Sequence, residues 1–551
     1  MNTTISKQHP IAYLCAEYGV ATELPIYAGG FGVLAGDTVK AAADMAMPFV
    51  AVGLLYRGHG VVQHLSPEGL QTEGDYYFDP LENGLEHVYV DEEPLFIKVH
   101  LTELDVWLRV WRKDLDNGVS LYLLDSETDQ NELVERDITQ VLYSGTQENL
   151  IKQQLILGIG GVKLFSKLGI TPSVYHINEG RPAFAHWQLI RMYMDDHGMN
   201  YEEAKEAAIE KTVYTNHTLV AAGNQSYPPE LIKMYSKYYA NKMGISNDTL
   251  IESGLEENGQ FSVTRFALNT SRKANGVSSL HTELSKKLWP QYNWVNITNG
   301  VHRGTWQHPD IQKNFHDNEK LWNTHMALKK ETMQFIQKQT GFGYDERKLV
   351  LGWARRLAGY KQLPILFSDL ARIKALLQNE QRPVQLLISG KAHMGDTAGK
   401  QMLQEVIELF STELAGSALF VPNYNIEVAQ HLTRGVDVWL NTPELGKEAC
   451  GTSGMKATLN GVPNCTVADG WAEEVRWDGT QGWQLDHIDT ANSLYTLLEQ
   501  TIVPKYYSRN THGIPVEWTS VMKNAIRLGD EYTGDRMLNQ YADRLYVKTV
   551  D

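Results

Sequence analysis

KLVLGWARRLAGYK, residues 348–361, joins a short apolar run to a cluster of three cations. A continuous apolar run of this length is typical of a strand that is buried on both faces of a parallel sheet. The same pattern recurs at VQLLISG (384–390), ALFVPNY (418–424) and VDVWLN (436–441). Helical segments, residues 364–378 and 398–414, lie between these runs. The alternation predicts a doubly wound α/β sheet in the second half of the chain.

The first half of the chain repeats this alternation. VYHIN (174–178) and TVYTN (212–216) predict buried strands, and a charged helical segment, residues 194–211, lies between them. At 551 residues the chain is too long for one ordinary core. A charged helix within residues 317–345, which ends at a glycine turn, is the predicted link between the two halves.

These patterns divide the chain into three segments. Residues 1–330 and 331–520 are the two predicted α/β domains. The tail, residues 521–551, has a basic and apolar helical pattern without a strand of its own, and we expect it to cross back to the first domain. Because ligands of doubly wound sheets bind beyond the carboxyl ends of the strands, the polar clusters that follow the strands are the candidate site residues.

Composition excludes several classes of function. The net charge is −16, from 50 Lys and Arg against 66 Asp and Glu, which argues against nucleic-acid binding and against adhesion to an anionic membrane. Three cysteines without CxxC spacing indicate reduced thiols. We see no signal peptide and no apolar run that is long enough to cross a bilayer, so a cytoplasmic location is expected.

EACGTSGMK, residues 448–456, carries the most specific chemistry. Its small residues allow a ligand to approach the backbone, and a following helix adds the positive end of its dipole. Lys456 is an amine that can form a Schiff base. An anion cradle beside an amine suits a phosphorylated aldehyde such as pyridoxal phosphate. The alternative is a Gly/Ser turn before a helix, with Lys456 solvated.

Two further clusters can bind anions. YAGGFGVLAGD, residues 27–37, is a glycine loop that leads into a helix of small residues, although a tight turn that allows close helix packing explains it equally well. Arg355, Arg356 and Lys361 can hold phosphate groups, or they can form the solvated start of a basic helix. His217 follows a strand, where a lone histidine is more often structural than catalytic. No metal-binding motif is present, and we expect no metal.

The motifs in their order resemble one family, the pyridoxal-phosphate-dependent α-glucan (glycogen, starch or maltodextrin) phosphorylases. The resemblance covers most of the chain and rests on these motifs: AEYG, PIYAGGFGVLAGD, HINEG, TNHT, ITNGVH, ARRLAGYK, GKAH, EACGTSGMK and VADGW. The chain looks like a short form of the family, and we therefore expect neither an AMP site nor the phosphorylation switch of the animal enzymes.

The resemblance implies a fold and an activity. The fold is the GT-B architecture, in which two Rossmann-like domains enclose an active-site cleft. The activity is phosphorolysis of the terminal α-1,4-linked glucose of an α-glucan by inorganic phosphate, which gives α-glucose 1-phosphate with retention. Pyridoxal phosphate is the implied cofactor, and its phosphate is the group that takes part in the reaction. The resemblance also favours a homodimer.

The resemblance assigns roles residue by residue. Lys456 is the implied Schiff-base lysine, and the residues implied around the cofactor, most of them at its phosphate, are Gly30, Arg355, Thr452, Ser453 and Tyr424. The implied ligands of the substrate phosphate are Arg356 and Lys361. The residues implied to act on or bind the sugar and the glucan chain are Glu448, His217, Gly29, Phe31, Asn299, Tyr360, Cys450, Gly451, Glu17 and Glu179.

Four positions depart from the family pattern. Arg181 stands where relatives usually have histidine, which puts acceptor binding in question. Asn425 stands where the long enzymes place an arginine for the cofactor phosphate. Cys450 replaces a serine or alanine, a change expected to make the site oxidisable. Gly19 stands where the long enzymes have an aromatic residue near the cofactor.

Two other functions share some of these features. A nucleotide-sugar-dependent α-glucan synthase has the GT-B fold and a Gly-Gly loop near its N-terminus, but it needs no Schiff-base lysine. A catalytically silent glucan-binding homologue would account for Arg181 and Asn425, but not for the joint presence of the lysines, arginines and carboxylate named above.

Overall fold

A computed structural model describes residues 4–143, 145–219 and 224–547. The first part of the chain forms a mixed sheet whose strands, in spatial order, are Trp294–Asn296, Lys273–Gly276, Thr212–Thr215, Val174–Asn178, Ile11–Leu14, Phe49–Leu54, Ser120–Asp125, Leu104–Asp114 and Glu86–His87, with Phe96–Leu101 also paired to Leu104–Asp114. The strands from Trp294–Asn296 to Ser120–Asp125 are parallel, and the pairings of Leu104–Asp114 are antiparallel.

The second part forms a sheet in which every pair of neighbours is parallel. Its strands, in spatial order, are Ala418–Val421, Val384–Ser389, Leu349–Ala354, Val438–Asn441, Asn464–Val467 and Gly482–Leu485. Most of their side chains are buried on both faces, which is why they read as continuous apolar runs in the sequence. The prediction of an α/β fold with parallel sheets is confirmed.

Helices pack on both sheets. Those of the first part and the link are Gly30–Asp44, Leu133–Arg136, Gln147–Lys167, Ala185–His197, Tyr201–Lys211, Pro229–Met243, Asn247–Ile251, Val263–Asn269, Ser279–Leu288, Arg303–Trp306, Pro309–Asn314 and Asn318–Thr340. Those that follow are Leu370–Leu377, Thr397–Ser411, Ile426–Gly435, Ser453–Leu459, Thr490–Leu497, Val503–Tyr507, Val516–Asp530 and Gly534–Gln540. No helix in these ranges is long and apolar enough to cross a membrane.

Each sheet has one place where the strand order reverses. In the first sheet it lies between Ile11–Leu14 and Val174–Asn178, and in the second between Leu349–Ala354 and Val438–Asn441. Chain connections leave such a point in opposite directions, so a crevice opens at the carboxyl ends of the two strands. Two reversals therefore provide two crevices.

Helices run across residues 330 and 520, the two positions at which the sequence patterns divided the chain. The linking helix is Asn318–Thr340, N-capped by Asp317 and ended by Gly341 with φ +79°, so residue 330 lies inside it. The helix Val516–Asp530 runs through residue 520, and its apolar face belongs to the core of the second sheet. Residues 548–551 of the predicted tail lie outside the described part of the chain.

The tail returns to the first sheet after residue 533. Met537, Leu538 and Tyr541 join the core of the first sheet. The Tyr546 hydroxyl is 2.9 Å from Nδ1 of the buried His176. The tail therefore packs on the first sheet, although it follows the second in sequence.

The sequence patterns did not indicate a hairpin, Val62–Leu65 with Gln71–Gly74, that reaches from the first part of the chain to the second sheet. Gln63 and Gln71 are buried there. The Gln63 side chain donates to Gly390 O (3.0 Å), and that of Gln71 to Ala392 O (2.9 Å). The hairpin thus joins the two halves by buried amides, in addition to the packing of Leu65 on the second core.

Candidate active site

The candidate residues cluster at the two crevices. Glu17 and Glu179 follow the strands that flank the reversal in the first sheet, and Arg355 and Glu448 follow those that flank the reversal in the second. Strand order alone therefore collects residues that are far apart in sequence.

The two crevices adjoin each other. The Tyr27 hydroxyl accepts a hydrogen bond from the Ile426 N–H (3.3 Å), and the Ser278 hydroxyl donates to Ala449 O (2.7 Å). One apolar cluster contains side chains from both halves, namely Val33, Val277, Val301, Trp306, Ile426, Met455 and Trp471. The loops of the two halves therefore form one continuous site region.

The glycines in and near the glycine loop differ in what surrounds them. The helix Gly30–Asp44 has no side-chain cap at Gly29 and no acidic residue in its first turn. A Cβ atom added at Gly29 or Gly30 would meet no atom within 4 Å. A Cβ at Gly36, in contrast, would lie 2.2 Å from Gly19 O, and one at Gly19 would lie 2.9 Å from Val33 Cα. The first two glycines face open space, whereas the close approach of the helix explains Gly19.

Lys456 is buried, so it is not the solvated lysine of the alternative interpretation. Its side chain lies in the helix Ser453–Leu459 with Nζ 4.0 Å from the centroid of the Trp306 ring. The indole N–H of Trp306 donates to both carboxylate oxygens of Asp37 (3.0 and 2.8 Å). Burial lowers the pKa of Lys456 to about 8, against the opposing effect of Asp37. An amine with such a pKa is suited to reaction with a carbonyl.

A second cation, Arg355, ends a buried strand next to this helix. One of its terminal nitrogens donates to Leu440 O (2.7 Å), while Nε is buried without a partner among the described residues. Burial raises the pKa of the nearby Tyr424 hydroxyl to about 12, and Arg355 opposes that rise. The side chain of Asn425 caps the next helix by accepting from the Val428 N–H (2.9 Å), which explains an asparagine at this position.

The loop before Lys456 presents two hydroxyl groups. Thr452 is the N-cap residue of the lysine helix, and its side chain makes no capping bond. The Ser453 hydroxyl accepts a hydrogen bond from the Trp439 indole (3.2 Å) and keeps its own proton to donate. Both hydroxyls are positioned by the same turn as Lys456.

Lys361 and Glu448 form an ion pair with each side chain about one-tenth exposed. The Glu448 N–H donates to Asp469 (2.9 Å), and Lys361 Nζ lies 4.6 Å from the centroid of the Tyr360 ring. Arg356 is exposed and makes no hydrogen bond or ion pair within the described ranges. The cationic run ends in a short 3-10 turn, Gly359–Lys361, which follows Arg355 and Arg356, and no α-helix begins there. The structure thus pairs Lys361 with Glu448 and leaves Arg356 available to an anion.

His217 has a fixed and neutral ring. Its Nε2 is 2.7 Å from Asn178 Oδ1, and its backbone N–H donates to Glu179 Oε2 (2.7 Å). Burial lowers the pKa of His217 to about 3 and raises that of Glu179 to about 8. The Phe31 ring approaches the imidazole edge-on at 5.0 Å. The other carboxylate oxygen of Glu179 is buried without a partner in the described part of the chain.

Glu17 is held by the protein itself. One carboxylate oxygen accepts from the Ala28 N–H (2.6 Å), which fixes the glycine loop, and the other accepts from the Tyr143 hydroxyl. Burial raises the pKa of Glu17. The guanidinium of Arg181 stacks 4.2 Å from the centroid of the Tyr143 ring. Glu17 therefore supports the loop, and Arg181 is anchored beside it.

Asn299 and the loop at Cys450 complete the site. Asn299 is buried, and its Oδ1 has no hydrogen-bond partner among the described residues, so this oxygen can still accept a hydrogen bond. Burial raises the pKa of the Cys450 thiol, so the structure argues against the oxidisable site expected from the sequence. Gly451 has φ +84°, a conformation that favours glycine, and lies against Glu448.

The structure brings most of the predicted residues into two connected groups, but no direct contact links Arg356 to the others. Sequence analysis missed Asp37, Trp306 and Tyr143, because each acts through a partner that is distant in the chain. No group of three possible metal ligands occurs in the described residues.

Comparisons with known proteins show the family of this chain. A family model described as carbohydrate phosphorylase matches residues 163–311 and 307–478. The maltodextrin phosphorylase of Thermococcus litoralis is 36% identical over 98% of this chain and 71% of its own length. The glycogen phosphorylases of Mycobacterium tuberculosis and Aquifex aeolicus are each 32% identical over 98% of this chain, and over 70% and 86% of their own lengths. The chain belongs to the carbohydrate phosphorylase family.

Proposed function

We propose that this protein catalyses phosphorolysis of an α-glucan. The bond from C1 of the terminal α-1,4-linked glucose to the glycosidic oxygen breaks, the glycosidic oxygen takes up a proton from inorganic phosphate, and a new bond from C1 to a phosphate oxygen forms on the same face. The products are α-glucose 1-phosphate and a glucan that is one unit shorter. The observation that carries the proposal is the buried amine of Lys456, in a helix that begins with the Thr452 and Ser453 hydroxyls, together with a buried guanidinium nitrogen of Arg355 that has no partner among the described residues.

The residues fit pyridoxal phosphate. Lys456 would hold its aldehyde, and the Gly30 N–H, Arg355, Thr452, Ser453 and Tyr424 would surround it. The fit rests on the open space at Gly29 and Gly30 and on the orphaned Nε of Arg355. When bound, the cofactor supplies a phosphate with a second pKa of about 6, which can exchange a proton near neutral pH.

The substrate phosphate would be held by Arg356 and Lys361. Arg356 is exposed and unpaired within the described ranges, so it can offer its fork of donors to two phosphate oxygens. Lys361 is paired with Glu448, and an arriving phosphate would share the ammonium with that carboxylate. Two phosphate groups close together repel each other, which is why several cations converge on this site.

The sugar would lie between the two halves. Asn299 would bind its 6-hydroxyl, and Glu448, Cys450 and Gly451 would face its ring hydroxyls. His217 would contribute its backbone carbonyl, because its neutral side chain is already held by Asn178. Phe31 and Tyr360 would help to exclude water, so that phosphate rather than water reaches C1.

We also propose that the two sheets are the Rossmann-like domains of a GT-B fold, with the glucan in the cleft between them. Membership of the phosphorylase family does not favour a nucleotide-sugar-dependent synthase. A homodimer and a cytoplasmic location stay predictions from the sequence.

An absorbance spectrum of the purified protein, before and after borohydride reduction and with peptide mapping, tests the proposal. We expect a pyridoxal band whose label maps to Lys456, together with release of α-glucose 1-phosphate from maltodextrin and phosphate. A protein that lacks this band after reconstitution and releases no sugar phosphate would refute the proposal. A labelled but inactive protein would instead support the silent homologue.

A further inference from the structure

The loop that carries Asn299 is held between two other backbones. On one side the Asn299 N–H donates to Val277 O (3.0 Å). On the other side the returning tail pairs with the loop, since the Val301 N–H donates to Tyr532 O (3.0 Å) and the Gly534 N–H to Val301 O (2.8 Å). The tail thus supports the loop that carries Asn299, although it lies more than two hundred residues further along the chain.

One side chain of the tail, Arg536, reaches the loop directly. One of its terminal nitrogens donates to Thr298 O (2.6 Å) and the other to Asn299 O (2.8 Å). Its Nε donates to Glu531 O (3.1 Å), and Gln540 Oε1 accepts a further bond (3.2 Å). The guanidinium is therefore held in place through Nε, and its two terminal nitrogens bond two consecutive carbonyls. The rigid planar fork of arginine allows this geometry, which a lysine ammonium cannot reproduce.

These contacts fix the backbone of Asn299 at both polar groups. Its N–H is bonded to Val277 and its carbonyl to Arg536, while its side-chain oxygen is buried and unpartnered within the described residues. A side-chain amide that must meet one hydroxyl needs a backbone that does not shift by even an ångström. Arg536 supplies the second of the two restraints.

We propose that Arg536 is a positioning residue for sugar recognition, which holds Asn299 where its amide can bind the 6-hydroxyl of the transferred glucose. This inference rests on the proposed function. It assigns to the returning tail a part in substrate specificity, in addition to its packing on the first sheet.

The test compares two donors in the direction of synthesis, with maltodextrin as acceptor and phosphate release as the readout. One donor is α-glucose 1-phosphate, and the other is α-xylose 1-phosphate, which lacks the hydroxymethyl group. In Arg536→Met and Arg536→Lys we expect kcat/KM for the glucose donor to fall about tenfold or more, while the value for the xylose donor changes less than about threefold. The preference for glucose would therefore shrink.

Arg544→Met is the matched control, because Arg544 lies on the same tail with an exposed side chain. It should leave the preference unchanged. In an Asn299→Ala background, which should itself remove the preference, Arg536→Met should cause no further loss. Should Arg536→Met fail to fold, Arg536→Lys keeps the charge and most of the volume and carries the test alone.

An equal loss with both donors would show a merely structural role and would overturn the inference, as would an unchanged preference or a wild-type protein that does not prefer glucose. These results differ from a failure of the proposed function, in which the wild-type protein would transfer neither sugar.

Discussion

Replacing Gln63 with leucine tests whether buried amides hold the two halves of the protein together. The Gln63 side chain is 3% exposed. It donates to Gln71 Oε1 (2.9 Å) and Gly390 O (3.0 Å), and it accepts from the Asn423 N–H (2.9 Å). Leucine has a similar volume but none of these groups. Gly390 O and the Asn423 N–H would then lose their side-chain partner, whereas Gln71 would still bond Ala392.

The expected loss of stability follows from these two orphaned groups. Each buried polar group without a partner costs about 1–3 kcal/mol, and burial of the leucine methyl groups returns about 1 kcal/mol. We therefore expect Gln63→Leu to lower the free energy of unfolding by about 1–5 kcal/mol. Asn423 lies next to Tyr424 in the site, so activity should fall as well.

Urea unfolding followed by circular dichroism measures this change. Gln401→Leu is the control, because Gln401 is exposed and bonds only Glu405 among the described residues. A Gln63→Leu variant that shifts the unfolding midpoint no more than this control would refute the reasoning. So would additive effects of Gln63→Leu and Gln71→Leu, since residues of one network should couple.

Three further predictions concern the site. Lys456→Met should stabilise the cofactor-free protein by up to about 3 kcal/mol at pH 7, because folding lowers the pKa of Lys456 from 10.5 to about 8 and so disfavours its charged form. The free-energy penalty of burying the Lys456 ammonium applies in full below pH 8 and decreases towards pH 10.5, where the unfolded chain also loses the proton. The free energy of unfolding of both proteins at a series of pH values measures this penalty, and a gain in stability that does not depend on pH would contradict it. Lys361→Met should raise KM for inorganic phosphate about tenfold or more and KM for maltodextrin less than about threefold. Initial rates measure both constants, and an equal change in the two KM values would argue against phosphate binding by Lys361. Cys450 should resist iodoacetamide at pH 7 in the native protein and react once the protein is unfolded, because burial raises the pKa of its thiol. Mass spectrometry measures the labelled fraction, and rapid labelling of Cys450 in the native protein would contradict this prediction.

The sequence by itself determined the α/β class and six strands of the two parallel cores. Strands buried on both faces are mostly apolar, so Leu349–Ala354 stands out as an uninterrupted apolar run, and Val174–Asn178 and Val384–Ser389 stand out as largely apolar runs. The small residues before Lys456 likewise indicated an anion cradle beside an amine. Both signals are local, because they depend on the backbone and on near neighbours along the chain.

Only the tertiary structure decided which polar side chains are buried and what they hold. Gln63, Asp37 and Arg536 are of residue types that usually lie on protein surfaces, and no periodic hydrophobic pattern in the sequence marks their positions. Gln63 and Asp37 can be buried, and Arg536 half-buried, because Gly390, Trp306 and Asn299, each more than two hundred residues away, complete their hydrogen bonds. A buried polar group is stable only with such a partner, and the partner is set by how the two sheets and the tail meet.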